Sequence, residues 1–593
     1  MSLPARKKYA GDTRRLLLAF DIGTTFSGIS YSILDPGSVP EIRPVTRFPS
    51  QEQVGGDSKI PTVIYYDSDG KVCAIGADTL KDGIEADAED FGWSKARWFK
   101  LHLRPKPVAP TFFSRIVRSQ ENQELPPLPL KKTVVEVFGD YMKYLHSCSK
   151  EYIEETHGSM LWASLKDNIM YVLTHPNGWG GPQQAQMRQA AVKAGLIPDT
   201  DPGRSRVTFV TEGEASLHFC LTNGLAIDPT SKSGVLIVDA GGGTIDLTAY
   251  SKLPDNSYEE IAIPQCHFQG AAYVSIRAEK YFKTLLAGSR FSQDVESLVT
   301  RFDRNTKHVF RREDEPLHIQ FTSHRERDQA LNIRGGRLTI PGRDVATFFE
   351  PSVTCIVDAI KKQKSSAHMP ITSVFLVGGF SASPWLYNQV RERVEALGMT
   401  VSRPDTHVNK AVSNGAVSFY LDSAVTSRVA RLTYGIEVYV NYNSTDYEHI
   451  KRGHRVSVHS TEGIPIITGA FSSILPKNTR VKSDREFRRT FETTATHRVG
   501  LRSHEVDILS YRGSSANPEW IDDDTDLYPA VCTVKANTSS LTPRVRTSPR
   551  GLKYYEISYD VVLLFGLTEL KAQIAYKENG VERRGPAEVV FVE

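Results

Sequence analysis

The chain has 593 residues, which is long for a single hydrophobic core, so we expect two to four compact units. With 40% hydrophobic residues, 24% charged residues and a net charge of only +3, the composition excludes a disordered chain and argues against nucleic acid as a partner.

The N-terminal residues 1–13 form a basic, polar tail. The apolar run that follows, Leu16 to Phe20, is interrupted by Asp21, a pattern that fits neither a signal peptide nor a membrane span. The cysteines are scattered, without a CxxC pair or histidines at metal-ligand spacing, which favours free thiols in a reducing compartment. We therefore predict a cytoplasmic protein.

Strand and helix patterns alternate from residue 16 to residue 421. The first is a predicted β-hairpin, in which strands 16–21 and 27–34 flank a Gly-Thr-Thr turn. A helical stripe at 134–153 follows a proline-rich connection at 125–130. The other predictions are strands at 169–173, 207–210, 235–239 and 373–377, a hinge at 231–234, and helices at 183–194, 214–221, 271–286, 345–361, 384–397 and 409–421.

From about Arg431 the pattern changes to short alternating runs separated by turns. Examples are residues 435–440, 555–565 and 569–576, which are typical of β-strands. We therefore place a domain boundary near residues 422–431.

The first motif that could carry chemistry is the turn of the N-terminal hairpin, Asp21-Ile-Gly23-Thr24-Thr25-Phe26. A tight Gly-Thr turn exposes backbone N–H groups that can converge on phosphate oxygens, and a carboxylate at the strand end can hold hydrated Mg²⁺. Taken alone this motif is weak, because many such turns only reverse the chain.

The second motif repeats that design as Asp239-Ala-Gly241-Gly242-Gly243-Thr244-Ile-Asp246 after a buried strand. Three consecutive glycines cost conformational entropy and cannot pack, so an ordinary turn has little reason to contain them. Repetition of Asp-x-Gly-Thr makes the pair specific for a phosphate clamp. The alternative, in which both aspartates merely cap strands, leaves the triple glycine unexplained.

The third motif is a strand that ends in Gly378-Gly379-Phe380 before a helix beginning near Pro384. Such a junction lets a flat ligand or a phosphate approach the backbone and the helix N-terminus.

The order of these three motifs resembles the ATPase domain of heat-shock protein 70 (DnaK-type) proteins, which belong to the actin and sugar-kinase superfamily. The resemblance covers most of residues 14–425 and includes Ile60-Pro-Thr-Val63 and Leu173-Thr-His-Pro176. It implies an α/β fold with two ribonuclease H-like lobes. Lobe I would span about 14–230 plus a returning helix at about 405–425, and lobe II about 231–404.

The resemblance also implies ATP or ADP with Mg²⁺ as cofactors. The two hairpins would grip the phosphates, both strand-end aspartates would organise the metal, and the Gly-Gly junction would back the adenosine. The residues assigned in this way are Asp21, Gly23, Thr24, Thr25 and Phe26 in the first loop, Asp239, Gly241, Gly242, Gly243 and Thr244 in the second, and Gly378, Gly379 and Phe380 at the junction.

Catalytic roles follow from the same resemblance. Asp239 would orient the attacking water, because phosphoryl transfer needs mainly positioning and charge compensation, and Asp246 would support it. Glu212 looks like the family's acid near the metal. Lys100 is the best match to the family's lysine against the transferred phosphate, with Lys95 as its competitor.

The chain departs from the family on the adenine side. Lys307 matches the lysine of a family Glu-x-x-Lys pair, but Arg304 stands at the position of the acid and Asp303 is one residue off. Gln269-Gly270 replaces a Gly-Gly pair, and the junction after Phe380 lacks the family's adenine-stacking arginine. Lys307 and Gly270 are still assigned to the cofactor site, while the base preference stays open.

Residues 431–593 are expected to form a β-rich domain that binds protein clients or co-chaperones. Gly435-Ile-Glu437 and Pro476-Lys-Asn-Thr479 resemble the start and a turn of the family's substrate-binding module. The connection lacks the family's acidic, leucine-rich linker, and the sequence ends in a strand-like segment at 587–593 without a helical lid. These features resemble the divergent, lidless heat-shock-70-like branch known from fungi and animals.

The leading hypothesis is an ATP-binding, Mg-dependent and weakly ATP-hydrolysing protein that couples its nucleotide state to a protein partner. Two rivals remain. One is a nucleotide-sensing scaffold without significant turnover, which the altered adenine side favours. The other is a small-molecule kinase of the same superfamily, for which no acceptor-binding motif stands out.

Overall fold

The computed structural model describes residues 6–54, 59–105, 125–223, 225, 233–404, 410–482, 485–565 and 569–589. The chain divides into two compact units with the boundary between Val425 and Thr426, and the first unit contains the described residues before it apart from 180–182. Within the described part of the chain, no helix is long and apolar enough to cross a membrane. Part of the predicted hinge, residues 231–232, lies outside the described residues.

The first sheet of the first unit is built on the N-terminal hairpin. Strands β1 (Arg15–Ile22) and β2 (Phe26–Leu34) pair antiparallel with Asp21 opposite Gly28. Strand β1 also runs parallel to β8 (Ile169–His175), and β8 runs parallel to β9 (Val207–Thr211). Residues 16–20 are buried on both faces, as expected for a central strand. The strands are β1 (Arg15–Ile22), β2 (Phe26–Leu34), β3 (Arg43–Pro44), β4 (Ile60–Pro61), β5 (Val63–Tyr66), β6 (Val72–Ile75), β7 (Ser94–Arg97), β8 (Ile169–His175) and β9 (Val207–Thr211), in the order β3-β2-β1-β8-β9 with β4 on β2 and with β5 to β7 in a separate small sheet.

The second sheet repeats this construction around the triple-glycine hairpin. Strands β10 and β11 pair antiparallel with Asp239 opposite Asp246, and β10 runs parallel to β18. Both predicted hairpins are therefore confirmed. The first strand of each hairpin also pairs with a parallel strand. The strands are β10 (Gly234–Ala240), β11 (Ile245–Lys252), β12 (Tyr258–Glu260), β13 (Gln265–His267), β14 (Leu317–Gln320), β15 (Arg327–Asp328), β16 (Ile333–Arg334), β17 (Arg337–Ile340), β18 (Ile371–Val377) and β19 (Thr400–Ser402), in the order β19-β18-β10-β11-β12 with β13 on β11, and β14 to β17 in a small sheet of their own.

Helices pack on both sheets and bury their apolar stripes there. Helix Val134–His157 begins with a capping box between Thr133 and Glu136, which satisfies backbone donors at its first turn. Its buried side includes Phe138, Tyr141 and Leu145, as the predicted stripe required. The other α-helices of four or more residues in the described part of the first unit are Ile84–Asp90, Ser159–Leu165, Gly181–Lys193, Asp201–Arg204, Glu212–Thr222, Ala271–Leu285, Val295–Arg301, Gly342–Ser366, Pro384–Glu395 and Ala411–Asp422. This mixture of sheets and helices confirms the predicted α/β class.

The second unit is β-rich, with a core between its two sheets that includes Ile508, Val534, Val561, Leu563 and Ile574. The connection near the unit boundary is itself a strand, and its residues 427–429 pair antiparallel with residues 480–482. The strands are β20 (Val425–Val429), β21 (Thr433–Asn441), β22 (Val456–Val458), β23 (Pro465–Leu475), β24 (Arg480–Lys482), β25 (Glu486–Ala495), β26 (Ser503–Tyr511), β27 (Ala530–Asn537), β28 (Arg544–Thr547), β29 (Lys553–Phe565), β30 (Leu570–Glu578), β31 (Val581–Arg584) and β32 (Glu588–Val589). The sheet orders are β22-β23-β21-β26-β27 and β25-β29-β30-β31, with β28 on β29 and β32 on β30.

Candidate functional site

A cavity of about 560 Å³ lies in the first unit where the turns of both hairpins meet. The turn after β18, the short 3₁₀ segment Phe99–Leu103 and the start of helix Glu212–Thr222 also contribute to its wall. Its volume is in the range typical of small-molecule sites. The charged and polar lining residues are Asp21, Thr24, Thr25, Lys59, Lys100, Glu212, Asp239, Thr244, Asp303, Arg304, Asn305, Lys307, His308 and Ser383.

The two hairpin turns lie in direct contact. A Cβ atom added to Gly242 would lie 2.3 Å from Oγ1 of Thr25, and one added to Gly243 would lie 2.2 Å from Oγ1 of Thr24. Any side chain at either glycine would therefore collide with the opposite turn. This close approach explains the second and third of the three glycines, and it sets two backbone turns side by side at the wall of one cavity.

The carbonyl oxygens of the second turn are held from behind by the start of a helix. The backbone N–H groups of Gly270, Ala271 and Ala272 donate to the oxygens of Gly243, Gly241 and Gly242 at 3.2, 3.1 and 2.8 Å. Gly270 packs so tightly that an added Cβ would lie 2.7 Å from the Gly241 oxygen. The oxygens, which would repel an anion, are thus engaged within the protein.

Asp239 is a buried carboxylate of the cavity wall, and its pKa is strongly raised. It is 3% exposed, and one of its oxygens accepts a hydrogen bond from the Ser216 hydroxyl at 2.7 Å. Gly378, with φ of +84°, makes room for the carboxylate, because an added Cβ would lie 2.2 Å from the other oxygen. Burial, followed by the negative charge of Glu212, raises the pKa of Asp239 from 3.8 to about 7. It is therefore poised to exchange a proton near neutral pH.

Lys100 and Glu212 form a buried ion pair on another side of the cavity, with 2.5 Å between Nζ and Oε1. Lys100 is held in place because its neighbour Phe99 packs against Phe138 and Tyr141. Burial lowers the pKa of Lys100, but the negative charges of Glu212 and Asp21 and the hydrogen bond to Glu212 together outweigh burial. The pKa is therefore raised and the lysine stays protonated.

Asp21 uses both of its oxygens. One accepts from the Thr174 hydroxyl at 3.1 Å, and the other contacts the Lys59 ammonium at 2.8 Å. The second predicted lysine, Lys95, does not line the cavity, because its ammonium lies over the Tyr65 ring.

A π-helical turn, Phe302–Thr306, also contributes to the cavity wall. Asp303 contacts the Lys307 ammonium there, and Lys307 also donates to the Ser275 hydroxyl at 3.2 Å. Asp303 lies four residues before Lys307, and helical side chains at this spacing are neighbours. The acid that is one residue out of place relative to the family's pair therefore still reaches its lysine.

Most of the chain is similar in sequence to two heat shock 70 kDa proteins. No protein-family profile matches the chain. In an alignment of length 516 that covers 72% of each chain, it is 22% identical to heat shock 70 kDa protein 12A of Mus musculus and to that of Homo sapiens. In an alignment of length 524 that covers 71% of each chain, it is 23% identical to heat shock 70 kDa protein 12B of Homo sapiens. The chain is a divergent relative of the heat-shock-70 proteins. Its first unit has the α/β fold of the actin-like ATPases.

Most of the residues that the sequence assigned to the site of this heat-shock-70-like chain line one cavity. The exceptions are Asp246 and Gly270, which lie behind the second turn. Asp246 is completely buried and accepts the backbone N–H of Asn177 at 2.6 Å. Burial, followed by the charge of Glu212, raises its pKa well above the ordinary value. The assigned residues that do line the cavity are Asp21, Gly23, Thr24, Thr25, Phe26, Lys100, Glu212, Asp239, Gly241, Gly242, Gly243, Thr244, Lys307, Gly378, Gly379 and Phe380.

Several contributors were missed by the sequence analysis. Lys59 directly precedes the Ile60-Pro-Thr-Val63 segment, and Ser216 lies one helical turn after Glu212, so both were close to recognised motifs. Asn177 joins three segments, since its side chain donates to Thr248 and accepts from the N–H of Gly213. These residues act through contacts between distant segments, for which the sequence holds no local signal.

Proposed function

We propose that this chain binds ATP in the cavity of the first unit, hydrolyses it slowly, and uses its nucleotide state to control a protein partner of the β-rich second unit. The observation that carries the proposal is the contact of the two Gly-Thr turns, with Gly242 against Thr25 and Gly243 against Thr24, at the wall of a charged cavity. Adjacent backbone turns of this kind are a common means of holding phosphate groups.

Each charged group would have a distinct role. Thr24, Thr25 and the backbone N–H groups of both turns would hold phosphate oxygens. Asp239, with its pKa raised to about 7, would orient the attacking water and accept a proton from it. Lys100, kept protonated by Glu212, would offset the charge that develops on the transferred phosphoryl group.

The residues fit a magnesium ion held largely through water. Asp21 and Asp239 supply carboxylate oxygens at the cavity wall, and Mg²⁺ is usually bound by one or two carboxylates, several waters and substrate phosphates. Among the described residues, no cluster of three or more His, Cys, Asp or Glu side chains is arranged to hold a metal. Bound there, the metal would supply charge compensation for the phosphates.

A Mg-ATP binding isotherm tests the proposal. Wild-type protein should bind Mg-ATP, Thr24→Ala should bind it more weakly, and Asp239→Asn should retain binding but lose single-turnover hydrolysis. No binding by the wild type, or identical behaviour of all three proteins, would refute the proposal. Binding followed by release of intact ATP would instead support the nucleotide-sensing scaffold. ADP production that depends on an added small-molecule acceptor would support the kinase.

A further inference from the structure

The register of three adjacent strands brings a lysine to the carboxylate of Asp21. Asp21 lies opposite Gly28 in the β1–β2 pair, and Ser27 lies opposite Ile60 in the β2–β4 pair. Lys59, which precedes Ile60, is therefore next to Gly28, and all three residues share a row across the strands. Opposed residues in antiparallel pairs present their side chains on the same face of a sheet.

Gly28 leaves the space through which the other two side chains meet. A Cβ added to Gly28 would lie 3.5 Å from both Cγ and Cε of Lys59. The lysine stem therefore fills the space that a larger side chain at residue 28 would need. The ammonium reaches the Asp21 carboxylate at 2.8 Å, and both side chains are largely buried, with 17% and 4% exposed. Buried ion pairs of this kind are costly to break one partner at a time.

The pair changes what a divalent cation would meet. Both Asp21 oxygens are engaged, one by Lys59 and one by the Thr174 hydroxyl. A cation that approached this carboxylate would compete with the positive charge of the Lys59 ammonium. Lys59 also lines the cavity, and an ammonium has three N–H donors, of which Asp21 uses one. The remaining donors can reach an anion in the cavity.

We propose that Lys59 is a resident counter-cation for Asp21 that lets the cavity bind a nucleoside diphosphate or triphosphate with little dependence on divalent metal. The inference rests on the proposed nucleotide binding and adds a residue outside the two Gly-Thr motifs. A polyphosphate placed beside an uncompensated buried carboxylate would be repelled. Lys59 removes that repulsion before any metal enters.

The test is the metal dependence of nucleotide affinity, measured by calorimetry with ADP and with ATP in excess Mg²⁺ and in EDTA. For wild-type protein we expect the two dissociation constants to differ by less than about threefold. Lys59→Met should weaken binding in EDTA by about 10- to 100-fold, the range for one lost charge-assisted hydrogen bond, and weaken it less in Mg²⁺. Lys59→Arg keeps the positive charge, so its dissociation constants in EDTA and in Mg²⁺ should differ as little as those of the wild type.

Lys95→Met is the matched control, because this lysine lies outside the cavity on strand β7 of the separate small sheet. Its ratio of dissociation constants in EDTA and in Mg²⁺ should equal that of the wild type. Circular dichroism of each variant checks folding, and if Lys59→Met fails to fold, the wild-type and Lys59→Arg ratios still decide. Two results overturn the role of Lys59 while leaving nucleotide binding intact. One is a wild-type dissociation constant in EDTA more than about 30 times that in Mg²⁺, and the other is the same ratio of these two constants in wild type and Lys59→Met. No binding in either buffer overturns the proposed function, and this inference with it.

Discussion

Replacing Asp239 with asparagine should stabilise the nucleotide-free protein, and increasingly so at higher pH. The side chain is 3% exposed, and its pKa is raised from 3.8 to about 7, mainly by burial. Because the pKa is raised in the folded state, the folded chain binds more protons than the unfolded chain between these values. The stability contributed by the protonated carboxyl is therefore lost as the pH rises through about 7.

The size of the effect follows from the shift. A rise of about three pKa units corresponds to about 4 kcal/mol when the pH is well above both values. Part of this difference is already present in mildly acidic solution, where the unfolded carboxyl is ionised. We therefore expect the advantage of Asp239→Asn in free energy of unfolding to grow by about 2–3 kcal/mol between about pH 5 and pH 8. The amide oxygen can still accept the hydrogen bond from Ser216.

Urea unfolding followed by tryptophan fluorescence at both pH values measures this difference. Asp167→Asn, which removes an exposed carboxylate, should show no comparable change with pH. A difference between wild type and Asp239→Asn that is the same at both pH values would refute the reasoning, because it would mean that the carboxylate is not held in its protonated form by the fold.

Three further substitutions probe other parts of the chain. Lys100→Met should lower the single-turnover rate of ATP hydrolysis by about 100-fold or more while ATP still binds, because the cation beside the transferred phosphate is lost. Gly243→Val should abolish the rise in melting temperature on adding Mg-ATP, since its side chain would collide with Thr24. Arg452→Met should destabilise the second unit by about 3–5 kcal/mol in urea unfolding, because this buried arginine pairs with Glu448 and Asp522, and should leave ATP affinity unchanged.

Each substitution has a matched control. Lys95→Met should retain hydrolysis, because this lysine lies over the Tyr65 ring. Gly453→Ala should retain the shift in melting temperature, because nothing lies within 4 Å of its added Cβ. Arg544→Met removes an exposed arginine and should leave stability unchanged. Normal hydrolysis by Lys100→Met, a normal nucleotide response of Gly243→Val, or wild-type stability of Arg452→Met would each contradict the contact on which the prediction rests.

The sequence predicted the hairpin turns because their signal is local and repeated. Asp21 and Asp239 each end a buried strand and precede a Gly-Thr turn, and the triple glycine has no packing explanation unless another backbone approaches. The turn residues of both hairpins could therefore be named before the fold was known. Asp246 belongs to the same motif but does not line the cavity, because it is completely buried and accepts a hydrogen bond from the backbone N–H of Asn177.

The remaining site residues depend on geometry that no local pattern encodes. Lys59 reaches Asp21 only through the register of three strands. Asn177 reaches Thr248 and Gly213 only because segments distant in the sequence pack together. Register and the packing of distant segments are set by the tertiary fold, so they become visible only in the folded chain.

Helix Ala271–Leu285 joins two parts of the cavity wall through its first turns. Its first N–H groups hold the oxygens of the triple-glycine turn, while the Ala271 oxygen and the Ser275 hydroxyl both accept from Lys307. Because these contacts lie in the first turns of one helix, a displacement of the triple-glycine turn would be passed directly to Lys307. The two segments of the cavity wall would therefore shift together.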